Sequence, residues 1–300
     1  MTPTVGEIWN VLCEWAPPGL AESWDNIGLQ VGDPNASVQT LMIALDASEK
    51  LLDAAADRKV QMVLTHHPLL FRPVSSIDIS KPVPRLLAGF LRENIALAAA
   101  HTNLDSTVGG VSDLLANMLG ISDVKPLHTY SENNQGSVGM GRIGNLPYGC
   151  KLSEIMHKVS KMLGNQGLLV VGHPGQTITR IAICGGSGSD LWPLAIDKGA
   201  DLFLSAEIKH HVAREAEQMG KAIIDAGHFY TEWPLVPAMA KYMKQQAIEK
   251  GWDLKIYFFD DEKSPFGLWI DEKAKNGKFL VGARPLLSIN NSFSHTRSEN

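Results

Sequence analysis

Four histidines and two carboxylates stand directly after three short apolar runs of this chain. VQMVL is followed by Thr65-His66-His67-Pro68, IALAAA by His101-Thr102-Asn103-Leu104-Asp105, and AIIDA by Gly227-His228-Phe229-Tyr230-Thr231-Glu232. Imidazole with carboxylate is the ligand set of zinc, iron or manganese, whereas calcium takes oxygen alone and structural zinc favours thiolates. A single catalytic zinc usually takes three protein ligands, so six candidates imply two ions. The adjacent His66 and His67 project in different directions, so each would serve one ion of a pair about 3.5–4 Å apart, bridged by a carboxylate. Asp105 and Glu232 each lie four positions after a histidine, so a helical turn places each pair on one face. A lone buried histidine is ordinarily a satisfied core residue. Three separate strand ends that all carry His with Asp or Glu are hard to obtain as packing, because unpaired buried carboxylates are costly. A cation pair would lower the pKa of bound water, which is hydrolase chemistry. His101, or one of His210 and His211, is then the general acid/base, imidazole being the side chain that titrates near neutral pH.

Short apolar, β-branched runs alternating with amphipathic segments must position these residues. The spacing predicts helices over 5–15, 48–56, 84–93, 109–119, 152–163, 207–219 and 233–248. Strands are expected over 39–45, 60–64, 95–100, 167–171, 178–184, 202–204, 222–224 and 253–259. Alternation of this kind means an α/β protein with largely parallel, partly mixed sheets flanked by helices, whose ligands gather at the C-terminal ends of the strands. Residues 131–149, SENNQGSVGMGRIGNLPYG, read as a glycine-rich junction between two lobes. The first lobe is expected to combine 1–128 with 225–300, and the second to span 129–224. The polar end, NNSFSHTRSEN, is expected to pack weakly.

Weaker signals accompany the strand-end clusters. Gly186-Ser187-Gly188-Ser189 follows a strand and precedes a helix, where a glycine-rich turn can hold a substrate phosphate. The plainer reading is a tight βα turn with Asp190 capping the helix, since G-x-x-x-x-G-K-[ST] is absent. His210-His211, in AEIKHHVAREAE, reads as mid-helix, either a solvated face or one residue lining the site. The loop Ser23-Trp24-Asp25-Asn26 is either a polar rim or an Asx turn with Trp24 as packing.

Composition narrows the class. Three hundred residues, 44% hydrophobic and 20% charged, suit about two folded domains and exclude a disordered or fibrous chain. No apolar run approaches the roughly 18 residues of a membrane span. The net charge of −5 gives no footprint for nucleic acid or anionic membrane. Cys13, Cys150 and Cys184 are far apart and odd in number, which suits a reducing compartment. The first residues, MTPTVGEIWNVLCEWAPPG, lack the basic-then-apolar pattern of a secretory signal, so a cytoplasmic protein is expected.

The chain resembles the GTP cyclohydrolase 1 type 2 homologues, also called the NGG-one-interacting-factor-three-like family, over roughly 5–265. The resemblance rests on SWDNIGLQVG at 23–32, LTHHPLLF at 64–71, AAHTNLD at 99–105, GMGRIG at 139–144, CGGSGSDL at 184–191, GADLFLSAEIKHH at 199–211 and DAGHFYTE at 225–232. It implies one metal on each of His66 and His67, with Asp105 and His228 as further ligands, Glu232 bridging and His101 close by. It also implies two similar α/β lobes, a ring-shaped homohexamer (a trimer of dimers), and a small-molecule, nucleotide-type substrate opened at guanine C8. The competing readings are a metal-dependent phosphoesterase and a non-enzymatic metal-binding or protein-interaction scaffold.

Overall fold

The computed structural model describes residues 1–133, 136–165, 167–270 and 278–280. The chain begins with α1 (Val5–Trp15), started by a capping box: Thr4 Oγ1 accepts from the Glu7 N–H, and the Glu7 carboxylate accepts from the Thr4 N–H. Then come β1 (Gly28–Val31), β2 (Thr40–Ala44), α2 (Glu49–Asp57), β3 (Met62–Thr65), α3 (Pro82–Arg92) and β4 (Ala96–Ala99). Two short helices follow, α4 (Thr102–Ser106) and α5 (Val111–Leu119). The second half holds β5 (Ser122–Asn133), β6 (Gly136–Lys151), α6 (Leu152–Leu163), β7 (Leu169–Val171), β8 (Thr177–Ser187) and α7 (Trp192–Asp197). After these run β9 (Leu202–Ala206), α8 (His210–Gln218), β10 (Ala222–Asp225), α9 (His228–Glu232), α10 (Leu235–Glu249) and β11 (Lys255–Phe258). A last ribbon pairs β12 (Leu268–Ile270) with β13 (Lys278–Leu280).

These elements build two mixed sheets flanked by helices, the α/β architecture expected. One has the order β1-β4-β3-β2-β11 and the other β5-β6-β8-β9-β10-β7. In the first, β11, β2, β3 and β4 are parallel and β1 closes the edge antiparallel. In the second, β8, β9 and β10 are parallel, with β6 and β7 antiparallel beside them. Every residue of β2, β3, β4 and β9 is buried, as strands covered on both faces must be. Side chains alternate accordingly. Leu41, Ile43, Leu64 and Ala98 join Ile181, Ile183, Leu204 and Ile224 of the other sheet in one central core, with α1, α5, α6 and α10 between. Met42, Ala44, Val63 and Leu97 face outward under α2 and α3, while Ala182, Phe203 and Ile223 lie under α7 and α8.

Residues 131–133 and 136–149 of the glycine-rich stretch lie in β5 and β6, which pair antiparallel. Its glycines serve close approach: a Cβ on Gly144 would stand 2.5 Å from the Ser122 carbonyl oxygen. Pro126 is tolerated because β5 is an edge strand. The tail NNSFSHTRSEN lies outside the described residues. Among those described, no helix is long and apolar enough to cross a membrane.

The parallel strands of the two sheets deliver their C-terminal ends to one place. Asp46 follows β2, His66 and His67 follow β3, His101 follows β4, Glu207 follows β9 and α9 begins just after β10.

Candidate metal centre

Each of four imidazoles at this meeting point is anchored through Nδ1. His66 Nδ1 is 2.9 Å from the Ala100 carbonyl, His67 Nδ1 2.7 Å from Asp46 Oδ1, His101 Nδ1 2.9 Å from Asp25 Oδ1, and His228 Nδ1 3.0 Å from Glu207 Oε1. Carbonyl and ionised carboxylate oxygens only accept, so Nδ1 is the protonated nitrogen in every ring and Nε2 is left for the centre. An oxygen behind each ring is the pattern by which metal-ligating histidines are oriented and made more basic. The rings gather closely, with centroids 5.0 Å apart for His66 and His67, 5.2 Å for His66 and His101, and 5.2 Å for His67 and His228.

Two buried carboxylates complete the cluster. Glu232 Oε2 lies 2.8 Å from His67 Nε2 and 2.9 Å from His228 Nε2, while Oε1 lies 3.8 Å from His66 Nε2. Asp105 Oδ1 is 3.6 Å from the same His66 nitrogen. Helix α4 carries Asp105 and α9 carries both His228 and Glu232, so the four-residue spacing does place the last pair on one helical face. Burial raises the Asp105 carboxyl, and the neighbouring charge of Glu232 adds to this, bringing it to about 7. Burial acts on Glu232 in the same sense but is overcome by His67, His228 and His66, which hold it well below the usual carboxylate range. Burial disfavours a charged His228, yet the Glu232 carboxylate lifts it to about 9. His67 is likewise held well above its usual value, against burial, by Glu232 and Asp46.

The donor set fits a metal. His66 Nε2 and Asp105 Oδ1 are fully buried without a hydrogen-bond partner among the described residues. Orphaned atoms of this kind are costly unless something binds them. Three overlapping groups have ligand atoms within 4.8 Å of one another: His66, His67 and His101; His67, His228 and Glu232; and His66, Asp105 and Glu232. All six strand-end residues singled out from the sequence are therefore brought together.

The other candidates fare differently. His210 and His211 form the exposed first turn of α8 rather than its middle, and neither joins a ligand group. Gly185 to Ser187 are the last residues of β8, not a turn. Ser189 is buried, its hydroxyl donating to the Glu207 carbonyl and accepting from the Lys209 N–H. The 23–26 loop fits the rim reading, since Trp24 is exposed rather than packed and Asp25 reaches the cluster. Asp25 Oδ1 accepts from the adjacent Asn26 N–H, one residue on rather than the two of an Asx turn, and the same carboxylate anchors His101 and the start of α4. Asp46 and Glu207 went unnoticed, although the signal was present: each is an acid directly after an apolar strand, TLMIALD and LFLSAE.

A match to the family model for Duf34/NIF3 (NGG1p interacting factor 3) covers residues 3–265. The chain belongs to this family. It is 32% identical over 268 residues to the GTP cyclohydrolase 1 type 2 homolog of Clostridium acetobutylicum, covering 89% of this chain and 99% of that protein. With the protein of the same name from Streptomyces coelicolor it shares 33% identity over 258 residues, covering 85% of this chain and 90% of the relative. The NIF3-related protein of Bacillus cereus superposes with a TM-score of 0.84 at 23% identity, covering 89% of this chain and 99% of its own. Reduced HcgD from Methanocaldococcus jannaschii gives a TM-score of 0.70 at 28% identity, covering 87% and 99%. Its Duf34/NIF3 relatives thus share nearly the whole length described.

Proposed function

We propose that this centre holds two divalent cations of the zinc, iron or manganese class and that the protein is a hydrolase of a nucleotide-type small molecule. The observation that carries the reading is the pair of buried, unpartnered atoms, His66 Nε2 and Asp105 Oδ1, 3.6 Å apart beside Glu232. His66 and Asp105 would hold one cation, His67 and His228 the other, and Glu232 would be shared. Such a pair supplies Lewis acidity and a water deprotonated near neutral pH. The protein's own groups do the rest. Asp25 takes the His101 Nδ1 proton contact, which aims Nε2 toward the cluster as the site of proton uptake and return. His101 carries this role rather than His211, because its ring centroid is 5.6 Å from that of His67 while His211 stands outside the cluster. Within Gly186 to Ser189 only Ser187 is exposed, so it is the residue left to meet a substrate phosphate.

Guanine-ring opening is the first reaction to test, a choice supported by the relatives' name, GTP cyclohydrolase 1 type 2 homolog. The family description, an interacting factor, favours a metal-binding scaffold as the second reading. A cytoplasmic homohexamer with lobes 1–128 plus 225–300 and 129–224 belongs to the same proposal. Elemental analysis should return two metals per chain, and metal-loaded protein should turn over GTP or another nucleotide, an activity lost in Glu232→Ala. Full metal content with no turnover across a nucleotide and phosphoester panel would leave the scaffold reading standing instead.

A further inference from the structure

Two large aromatic side chains stand in the open beside the buried centre. Trp24 is 58% exposed and Phe71 45% exposed. Their ring centroids are 5.7 Å apart at 66°, and each lies 6.2 Å from the ring of His101, also edge to face. Three rings thus form a near-equilateral triangle whose inner corner is the histidine assigned above to proton transfer.

This corner is held in place by its surroundings. Asn26 Nδ2 donates to the Leu70 carbonyl, the Leu70 N–H donates to Gln30 Oε1, and Gln30 Nε2 donates to the Asn26 carbonyl. These three bonds tie the loop that carries Trp24 to the segment that carries Phe71, so neither aromatic needs to be ordered when a ligand arrives. The two rings pack edge to face on each other, so their exposed outer surface is a rigid apolar platform on which a flat ring can stack, with more contact than a flexible chain would make. A cationic ligand is poorly served by Asp25, the acid that contacts this corner, because its carboxylate is already spent. Its side chain is 0% exposed and takes contacts from His101, Thr102 and Asn26.

We propose that Trp24 and Phe71 form the seat for a planar heteroaromatic ring, placing the ligand's ring beside His101. The inference rests on the reading that the centre acts on a small molecule, and it adds which residues select that molecule.

The test is equilibrium binding of guanosine, adenosine and a pterin to metal-loaded wild type, Trp24→Ala, Phe71→Ala and Trp24→Phe, with ribose 5-phosphate as the non-planar control. At least one planar probe should bind wild type, at least tenfold more weakly to either alanine variant, and close to normally to Trp24→Phe, which keeps a ring. Ribose 5-phosphate should bind all four proteins alike, and the metal content should not change. Binding that is equal in wild type and Trp24→Ala, or no planar probe bound at all, overturns the seat. So does a loss of binding that appears only together with a changed sedimentation coefficient, which would give the patch to a contact between copies. Nucleotide turnover with an unaltered KM in Trp24→Ala would sink the seat and leave the hydrolase reading intact. Ring-dependent binding without turnover would do the reverse.

Discussion

Gly186 leaves open the space that the Glu232 carboxylate fills. A Cβ built on Gly186 would run into Glu232 Oε1 and stand 3.3 Å from His228 Nε2, and the backbone there has φ +64. The glycine-rich segment weighed from the sequence as a phosphate loop or a tight turn therefore serves as the wall against which the Glu232 carboxylate rests. Gly186→Ala should displace Glu232 and lower metal affinity at least tenfold, in line with what disturbing a ligand's supports usually costs. The αL backbone adds about 1 kcal/mol or more of destabilisation. Competition with a chromogenic chelator reads the first effect and urea unfolding of the apo protein the second. Undiminished affinity would remove Glu232 from the ligand set.

Glu207 makes a related point through its backbone. It holds φ +54, which non-glycine residues adopt at some cost, and its carboxylate reaches His228 Nδ1 at 3.0 Å. Strain retained at a residue that orients a ligand points to function. Glu207→Gly should relieve the strain, so stability should hold or rise by up to about 1 kcal/mol, while metal affinity falls ten- to a hundredfold. Asp46→Asn, acting on His67, should weaken binding without a change in fold. Parallel losses of stability and affinity in Glu207→Gly would count against an orienting role.

The strand-end rule made most of the centre legible from residues alone. His66, His67, His101, Asp105, His228 and Glu232 all follow apolar runs, and parallel strands of buried pattern must send such ends to one edge. The same rule, applied to acids as well as histidines, would have found Asp46 and Glu207. Other features were closed to it. Nothing in GMGRIG says that its glycines lie in a strand, because only the neighbouring strands β5 and β8 explain why side chains are excluded there. His210 and His211 looked mid-helix because Glu207 to Lys209 have helical residue types, yet Glu207 turns to the left-handed region and the helix starts later. The partners of Arg142 come from three separate segments, which no local pattern announces.

That arginine bears on the stability of the whole centre. Arg142, 3% exposed, makes a two-pronged pair with Asp113 at 2.6 and 2.7 Å and also donates to the carbonyls of Gly139, Gly141 and Thr107. Thr107 directly follows α4, the helix that carries Asp105. Removing one partner of a buried pair costs about 3–5 kcal/mol, because the other charge is left without compensation. Arg142→Met should lose that much in urea unfolding, and its metal affinity should fall because the Asp105 segment is no longer pinned. Arg142→Lys should recover little, since an ammonium cannot fill a planar fork. A loss under 1 kcal/mol would show that the pair is dispensable.

Glu262 gives the pH dependence. The carboxylate is 6% exposed and accepts from the N–H groups of Leu45 and Asp46, capping the end of β2 just before the residue that anchors His67. Burial raises its pKa to about 7 from 4.5; the two backbone N–H groups oppose the rise and the nearby Asp46 charge adds to it. The folded protein therefore holds this proton more tightly than the unfolded chain does. That contribution is complete below pH 4.5 and is lost as pH climbs through about 7. The shift corresponds to at most ~3 kcal/mol at 1.36 kcal/mol per unit. In Glu262→Gln the neutral side chain still accepts from both N–H groups and no longer titrates. Apo protein unfolded in urea at intervals between pH 5 and 8 should lose stability with rising pH in the wild type, against a visibly flatter profile in the variant. Since Glu262 touches Asp46 only through the backbone, metal affinity at pH 6 should be equal in the two proteins. Superimposable stability profiles would mean that Glu262 is already ionised in the folded state across this range.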